Sequence, residues 1–311
     1  MSGPVWVTGA AGFCGTHLCR ELVANGEEVW GWVRRQPESP VKGVRYVVGD
    51  LLEPGLLSAQ ADAAPPSRFF HLAAVADPRE CAADPEYAER VNVDLVDQIV
   101  SVLVNQAPDC RLLYASTCHV YGVPETLPIV ESHPLRPRGV YAESKARGES
   151  AALAGVKRGL HVVVSRAFHQ SGPDHAAEFA LGSWASQIAS GGKKVCVGDV
   201  SVARDYTDVR DVSRGLVCVL ERAPATSRVN LCSGRAVTLQ KMLEGLIGDR
   251  AVDIVVEQER LRKADVPVLY GDASYAEGLG WTPRISIEAM LEALLESYSS
   301  RTSILPSPSV S

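Results

Sequence analysis

The stretch that most narrows the possible folds comes at the start, where residues 5–15 read VWVTGAAGFCG. An apolar, β-rich run turns at Gly9, and Leu18, Leu22 and Val23 then recur at helical spacing. The pattern predicts strand, tight turn and helix. Glycines at 9, 12 and 15 let the backbone turn sharply and let an anion approach the helix N-terminus, where unpaired N–H groups and the helix dipole favour negative charge. Glycine-rich turns also arise for structural reasons alone. Here the turn follows the first strand directly, which suits the pyrophosphate of a dinucleotide, so Gly9, Gly12, Phe13, Cys14 and Gly15 are candidate cofactor contacts.

Further short apolar runs occupy residues 29–33, 44–48, 69–74, 112–115 and 161–165, most of them separated by helix-like segments. This alternation predicts an α/β fold, a doubly wound parallel sheet with helices on both faces. The second run ends Trp32-Val33-Arg34-Arg35. An acidic residue there would take a ribose 2′-hydroxyl, whereas arginine takes a 2′-phosphate. Arg34 and Arg35 therefore favour NADP(H), with NAD(H) as the alternative, and a solvated basic turn is the structural alternative. Asp50 and Leu51 can edge the adenine, and Ala73 and Ala74 are small enough for the backbone to lie against the cofactor. His71, inside an apolar run, reads as a hydrogen-bonded core histidine. Residues 87–106 form an amphipathic stretch, with Val91, Leu95, Ile99, Val102 and Leu103 on one face for core packing or a dimer contact.

The chemistry is expected after the fifth strand. Residues 112–115 deliver Ser116-Thr117-Cys118-His119 at a strand's carboxyl end, where open α/β sheets place their sites. Downstream, Tyr141 and Lys145 stand at i and i+4 of a helix and share one face. A cation beside a phenol stabilises the phenolate and lowers its pKa from about 10. Tyr141 then becomes a usable proton donor or acceptor, Thr117 can bond the same substrate oxygen, and Lys145 can reach the ribose hydroxyls.

Composition sets the outer limits. A chain of 311 residues exceeds the usual single core and predicts a large domain with a smaller lobe. A net charge of −6 offers no general basic field, so nucleic acid is not an expected partner. Eight scattered cysteines without a C-x-x-C pair predict free thiols in a reducing compartment and no metal site. With no apolar run near the ~20 residues of a membrane span and the first strand standing where a signal peptide would lie, the expectation is a soluble cytoplasmic protein with no membrane partner.

The pieces together resemble the extended short-chain dehydrogenase/reductases: VTGAAGFCG, then GDL at 49–51, HLAA at 71–74, VNV at 91–93, STCHVYG at 116–122, YAESK at 141–145, GP at 172–173, RDYTDVRDV at 204–212 and RKADVPVLYGD at 262–272. The resemblance spans residues 4–298. It implies a Rossmann-type NAD(P) domain over residues 1–169, completed by about 206–232, and a smaller C-terminal substrate-binding lobe over 170–298. Residues 299–311, with Ser-Pro repeats and no periodicity, read as a disordered tail. It also implies Thr117, Tyr141 and Lys145 as a catalytic triad, a nucleotide-sugar substrate and a homodimer.

Residues 197–199, 204–206, 230–234 and 262–272 are most similar to the GDP-sugar branch, the GDP-4-dehydro-6-deoxy-D-mannose reductases. The implied reaction is reduction of a 4-keto-6-deoxyhexose to GDP-D-rhamnose or GDP-6-deoxy-D-talose. Arginines matching Arg204 and Arg262 hold the substrate diphosphate in that family, a task suited to a guanidinium fork. Ion pairs with Asp205 and Asp265 are the alternative. His169 stands where the family has asparagine; it can donate to a phosphate, with a charge that varies near neutral pH. Related dehydratases carry acidic residues at the places of Cys118 and His119, so reduction is favoured over loss of water. A nucleotide-sugar 4-epimerase and a non-catalytic NADP-sensing protein are the other readings, and the second has no use for Tyr141 with Lys145.

Overall fold

The strand Val5–Thr8 is buried along its whole length, which fits only a position with neighbours on both sides and helices on both faces. The computed structural model describes residues 3–260 and 266–302 and places this strand inside a seven-stranded sheet. From one edge the order is Arg228–Leu231, His161–Ala167, Arg111–Thr117, Arg68–His71, Val5–Thr8, Val29–Val33 and Val44–Val48. Every pairing is parallel. The expected doubly wound Rossmann-type sheet is therefore present. The chain order reverses around Val5–Thr8, and ligands bind at such a reversal, beyond the carboxyl ends of the strands.

Alternation along the strands divides the apolar residues between two layers. Val5, Val7, Phe70, Leu113 and Val163 face the helices Phe13–Ala24 and Val209–Arg222 with Leu18, Leu22, Leu216 and Val219. Trp6, Phe69, Leu112 and Val162 face the other way, against Ile99 and Leu103 of the helix Leu95–Gln106. In that layer Trp6 packs between Trp30 and Trp32, with ring centroids 6.0 and 4.9 Å away.

After the strand His161–Ala167 the chain leaves the sheet for a smaller lobe. Helices Ala180–Ala189, Leu239–Ile247 and Ile287–Thr302 share a core of Leu181, Trp184, Leu243, Leu246, Met290 and Leu294. Between them the chain returns, laying Val209–Arg222 on the sheet and adding Arg228–Leu231 as its edge strand.

Three boundaries differ from the expectation. The fourth strand stops at His71, because the Thr8 hydroxyl accepts hydrogen bonds from the Leu72 and Ala73 amides at 3.1 Å each and draws that backbone out of the ladder. His71 itself is the expected core residue, with Nδ1 2.8 Å from Thr8 Oγ1. The stretch 87–106 is broken: a helix Pro85–Glu89 passes through a π-helical turn, Arg90–Asp94, into Leu95–Gln106. The wider turn brings Asn92 inward, where its amide accepts from Val75 N–H (2.9 Å) and donates to the Val75 carbonyl (3.1 Å) and Ser144 Oγ (3.0 Å). The last helix continues through residues 299–302 of the expected tail; residues 303–311 lie outside the described residues. Among the described residues no helix is long and apolar enough to cross a membrane.

Behind the fifth strand, Arg166 and Glu149 form a buried two-pronged ion pair at 3.0 and 2.7 Å. Ser116 also donates to Glu149 at 2.5 Å, and Arg166 donates to Tyr121 Oη and the Glu131 carbonyl, both at 3.1 Å. Removing one partner of such a pair leaves an uncompensated charge in a low dielectric. Arg166→Met should therefore lower unfolding free energy by about 3 kcal/mol or more in urea titrations. Arg147→Ala, which cuts the exposed pair with Glu89, should cost under about 1 kcal/mol.

Candidate active site

Gly9 has φ +68°, and a Cβ there would press on the backbone of Ala73. Gly12 caps the helix Phe13–Ala24, whose first turn has neither a side-chain cap nor an acidic residue, so its N–H groups remain directed outward. A Cβ on Gly15 would overlap the Gly9 carbonyl. Backbone, helix end and strand end thus meet as closely as atoms allow, and the cradle fits a dinucleotide pyrophosphate. The Cys14 thiol beside it is pushed up to about 12 by burial and stays protonated.

From this cradle a cavity of about 1630 Å³ runs into the smaller lobe. Arg34, Arg35, Asp50, Leu51, Ala73 and Ala74 line its cofactor end, and Thr117, Tyr141, His169 and Arg204 line the far part. Arg34 donates to Tyr87 Oη at 3.0 Å. Tyr87 lines the cavity too, although its sequence context placed it in an amphipathic helix. The turn beginning at Arg90 gives this tyrosine a different face from Leu95 and Ile99.

Thr117 ends the strand Arg111–Thr117, and Tyr141 opens the helix Gly139–Ala154. Both side chains line the same cavity. Thr117 Oγ1 also accepts from the His119 amide at 3.3 Å. Burial raises the Tyr141 pKa above the usual phenol value, with the nearby Thr117 side chain a smaller opposing effect.

The expected lowering of that pKa by Lys145 is not what this geometry gives. The Lys145 ammonium lies over the Tyr114 ring, 4.2 Å from its centre, buried and away from the cavity wall. Desolvation brings its pKa down to about 7, with Glu149 pulling the other way. The helix face shared by Tyr141 and Lys145 also carries Glu149, so the ammonium settles where a π face and a carboxylate compensate its charge.

On the smaller-lobe side, the His169 ring lies 5.6 Å from His119 and 5.4 Å from Tyr206. Burial first, then His119, Arg204 and His175, hold its pKa well below the ordinary imidazole value. The expected change of charge near neutral pH is thus corrected: His169 stays neutral there. Its Nδ1 has no hydrogen-bond partner among the described residues. Arg204 is not paired with Asp205; it donates to the carbonyls of Ala203 (2.8 Å) and Pro267 (3.3 Å). Asp205 instead accepts from Ser233 N–H and Oγ at 2.7 and 2.6 Å and from Gly234 N–H at 3.0 Å, which frees the guanidinium to face the cavity. Arg262 and Asp265 lie outside the described residues.

Sequence reasoning also missed His175 and Phe179 on the cavity wall. His175 is stacked between Phe13 and Phe179 at 4.8 and 5.2 Å, a contact across the two lobes for which local spacing carries no signal. Among the described residues no group of three or more His, Cys, Asp or Glu is arranged to hold a metal ion.

Residues 5–232 match the profile of the NAD dependent epimerase/dehydratase family. GDP-6-deoxy-D-mannose reductase of Pseudomonas aeruginosa is 33% identical over 315 residues, covering 97% of this chain and 99% of its own length. The solved structure of RMD from Pseudomonas aeruginosa complexed with NADPH superposes with a TM-score of 0.83 at 29% identity, over 96% of this chain and 100% of that one. MoeE5 in complex with UDP-glucose and NAD gives 0.82 at 29% identity, over 97% and 100%.

Lys145 carries a stability signature with a definite sign. Its folded pKa, about 7, lies below the value of about 10.4 expected for an unfolded lysine. Between those values the unfolded chain binds the extra proton, so stability rises with pH across the window. The urea midpoint should increase from pH 7 to pH 9.5 more for the native chain than for Lys145→Met; equal slopes would assign the trend to other groups.

Proposed function

This chain belongs to the NAD-dependent epimerase/dehydratase family, and from that footing we propose that it reduces the 4-keto group of a nucleotide-linked 6-deoxyhexose, with GDP-4-dehydro-6-deoxy-D-mannose as the substrate and GDP-D-rhamnose or GDP-6-deoxy-D-talose as the product. The observation that carries this reading is that Thr117, at the carboxyl end of a sheet strand, and Tyr141, in the first turn of the next long helix, line the same cavity as the glycine cradle. The 33% likeness to a GDP-6-deoxy-D-mannose reductase supports the choice of sugar.

The nicotinamide, when bound, supplies the hydride. The protein's part is to hold the carbonyl oxygen and deliver a proton to it. Tyr141, with its pKa raised, keeps its proton at neutral pH and gives it to an oxygen that becomes an alkoxide, a far stronger base than phenolate. Thr117 orients that oxygen. Lys145, one turn further along the same helix, completes the proposed triad, with its charge met by the Tyr114 ring and its proton favoured by Glu149. Arg204 and Arg262 are assigned to the diphosphate, and Arg34 and Arg35 to the 2′-phosphate of NADP(H). No acidic side chain follows Thr117: Cys118 is a buried thiol pushed up to about 12, which supports reduction over dehydration. A cytoplasmic homodimer completes the reading.

Incubation with NADPH and a panel of GDP-, dTDP-, UDP- and CDP-linked 4-keto sugars, with products identified by NMR, tests it directly. NADPH consumption should be fastest with the GDP sugar, and Tyr141→Phe should lower kcat by about 100-fold or more. NAD retained through purification, together with no NADPH consumption, would move the assignment to a 4-epimerase. Replacing Arg34 and Arg35 with alanine should weaken NADPH binding by about tenfold or more, as expected for loss of charge-assisted phosphate contacts, while leaving NADH binding nearly unchanged in fluorescence titrations.

A further inference from the structure

A ketone whose oxygen is held by two hydroxyls has acidified hydrogens on the carbons beside it, because removing one places charge on that same oxygen. A site exploits this only if a base lies next to the reacting carbonyl. His119 is so placed. Its ring lines the cavity and meets the Tyr141 ring edge-on, with centroids 6.1 Å apart. Its amide donates to Thr117 Oγ1 at 3.3 Å, so the turn that carries it is fastened to the hydroxyl that would hold the substrate oxygen.

The imidazole is also uncommitted. Neither ring nitrogen of His119 is hydrogen-bonded to a described residue. His175 Nδ1, by contrast, is engaged with Ser171 Oγ at 2.9 Å, and His17 Nε2 with the Pro173 carbonyl at 2.9 Å. Water reaches the His119 ring, yet its position inside the cleft and the charge of Arg204 lower its pKa and keep a lone pair available at neutral pH. The neighbouring Cys118 thiol is too weak an acid to supply a base.

We propose that His119 removes and returns a hydrogen on a carbon flanking C4, so that this site exchanges an α-hydrogen of its keto sugar with solvent in addition to reducing it. The proposal rests on the keto-sugar reading above. In the step, the C–H electron pair becomes the C=C bond of an enolate, the C4=O π pair moves onto the oxygen held by Thr117 and Tyr141, and the proton passes to a ring nitrogen of His119. Water exchanges that proton on the imidazolium, and return to the same carbon face restores the ketone. No electrons are gained or lost, so the exchange needs no NADPH.

The full chain is incubated in D2O with GDP-4-dehydro-6-deoxy-D-mannose, with and without NADPH, and deuterium at C3 and C5 is read by mass spectrometry and proton NMR on recovered ketone and product. Deuterium should enter one of these positions about 100-fold or more faster than in buffer. The rate should fall to background in His119→Gln, and free imidazole should restore it in His119→Gly; thermal melts establish that both variants are folded. Reduction without deuterium in the native enzyme, or an unchanged exchange rate in His119→Gln, overturns the proposal and leaves the reductase reading standing. Deuterium without NADPH consumption supports the exchange and overturns the reductase, and neither event overturns both.

Discussion

The architecture of this protein hangs on one close contact, the backbone of Gly15 against the carbonyl of Gly9. Any side chain at 15 would push the first helix off the first strand. With none, the uncapped helix end sits beside the central strand, whose Gly9 turn lies against the backbone of Ala73 just past the fourth. The cofactor cradle, the strand order around it and the start of the long cavity all follow from that approach. The two apolar layers of the sheet then hold it in place, with three tryptophans, Trp6, Trp30 and Trp32, packed in one of them.

Burial governs the chemistry of the site as strongly as geometry does. His169 is kept neutral, the Tyr141 phenol keeps its proton, and Lys145 sits close to losing its own. Beside these groups the guanidinium of Arg204 keeps its charge.

Most of the fold was legible in the chain because its signals are local. Short β-rich runs between helical segments become strands, and glycines at 9, 12 and 15 become a turn; each depends on neighbours a few residues away. That Thr117 and Tyr141 share a cavity wall was legible for a different reason: a strand's carboxyl end and a helix's first turn have few places to meet in a parallel sheet. The direction of the Lys145 ammonium was not legible. Spacing put it on Tyr141's face of the helix, but Tyr114 comes from a different strand and competes for the same charge. The π-helical turn at Arg90 was hidden for a similar reason, since the buried bonds of Asn92 reach back to Val75 and forward to Ser144. That turn in turn decided the fate of Tyr87, and the stacking of His175 between Phe13 and Phe179 likewise joins distant stretches.

The edge strand Arg228–Leu231 lies against His161–Ala167 only after the chain has left to begin a second lobe and come back. On the ribosome, the nucleotide-binding half therefore cannot close its sheet when its own first six strands have emerged; it waits for some sixty further residues, part of them belonging to the other lobe. The same threading prevents the smaller lobe from being exchanged as a single cassette. In a protein wired this way, the lobe has to change by substitution in place rather than by swapping.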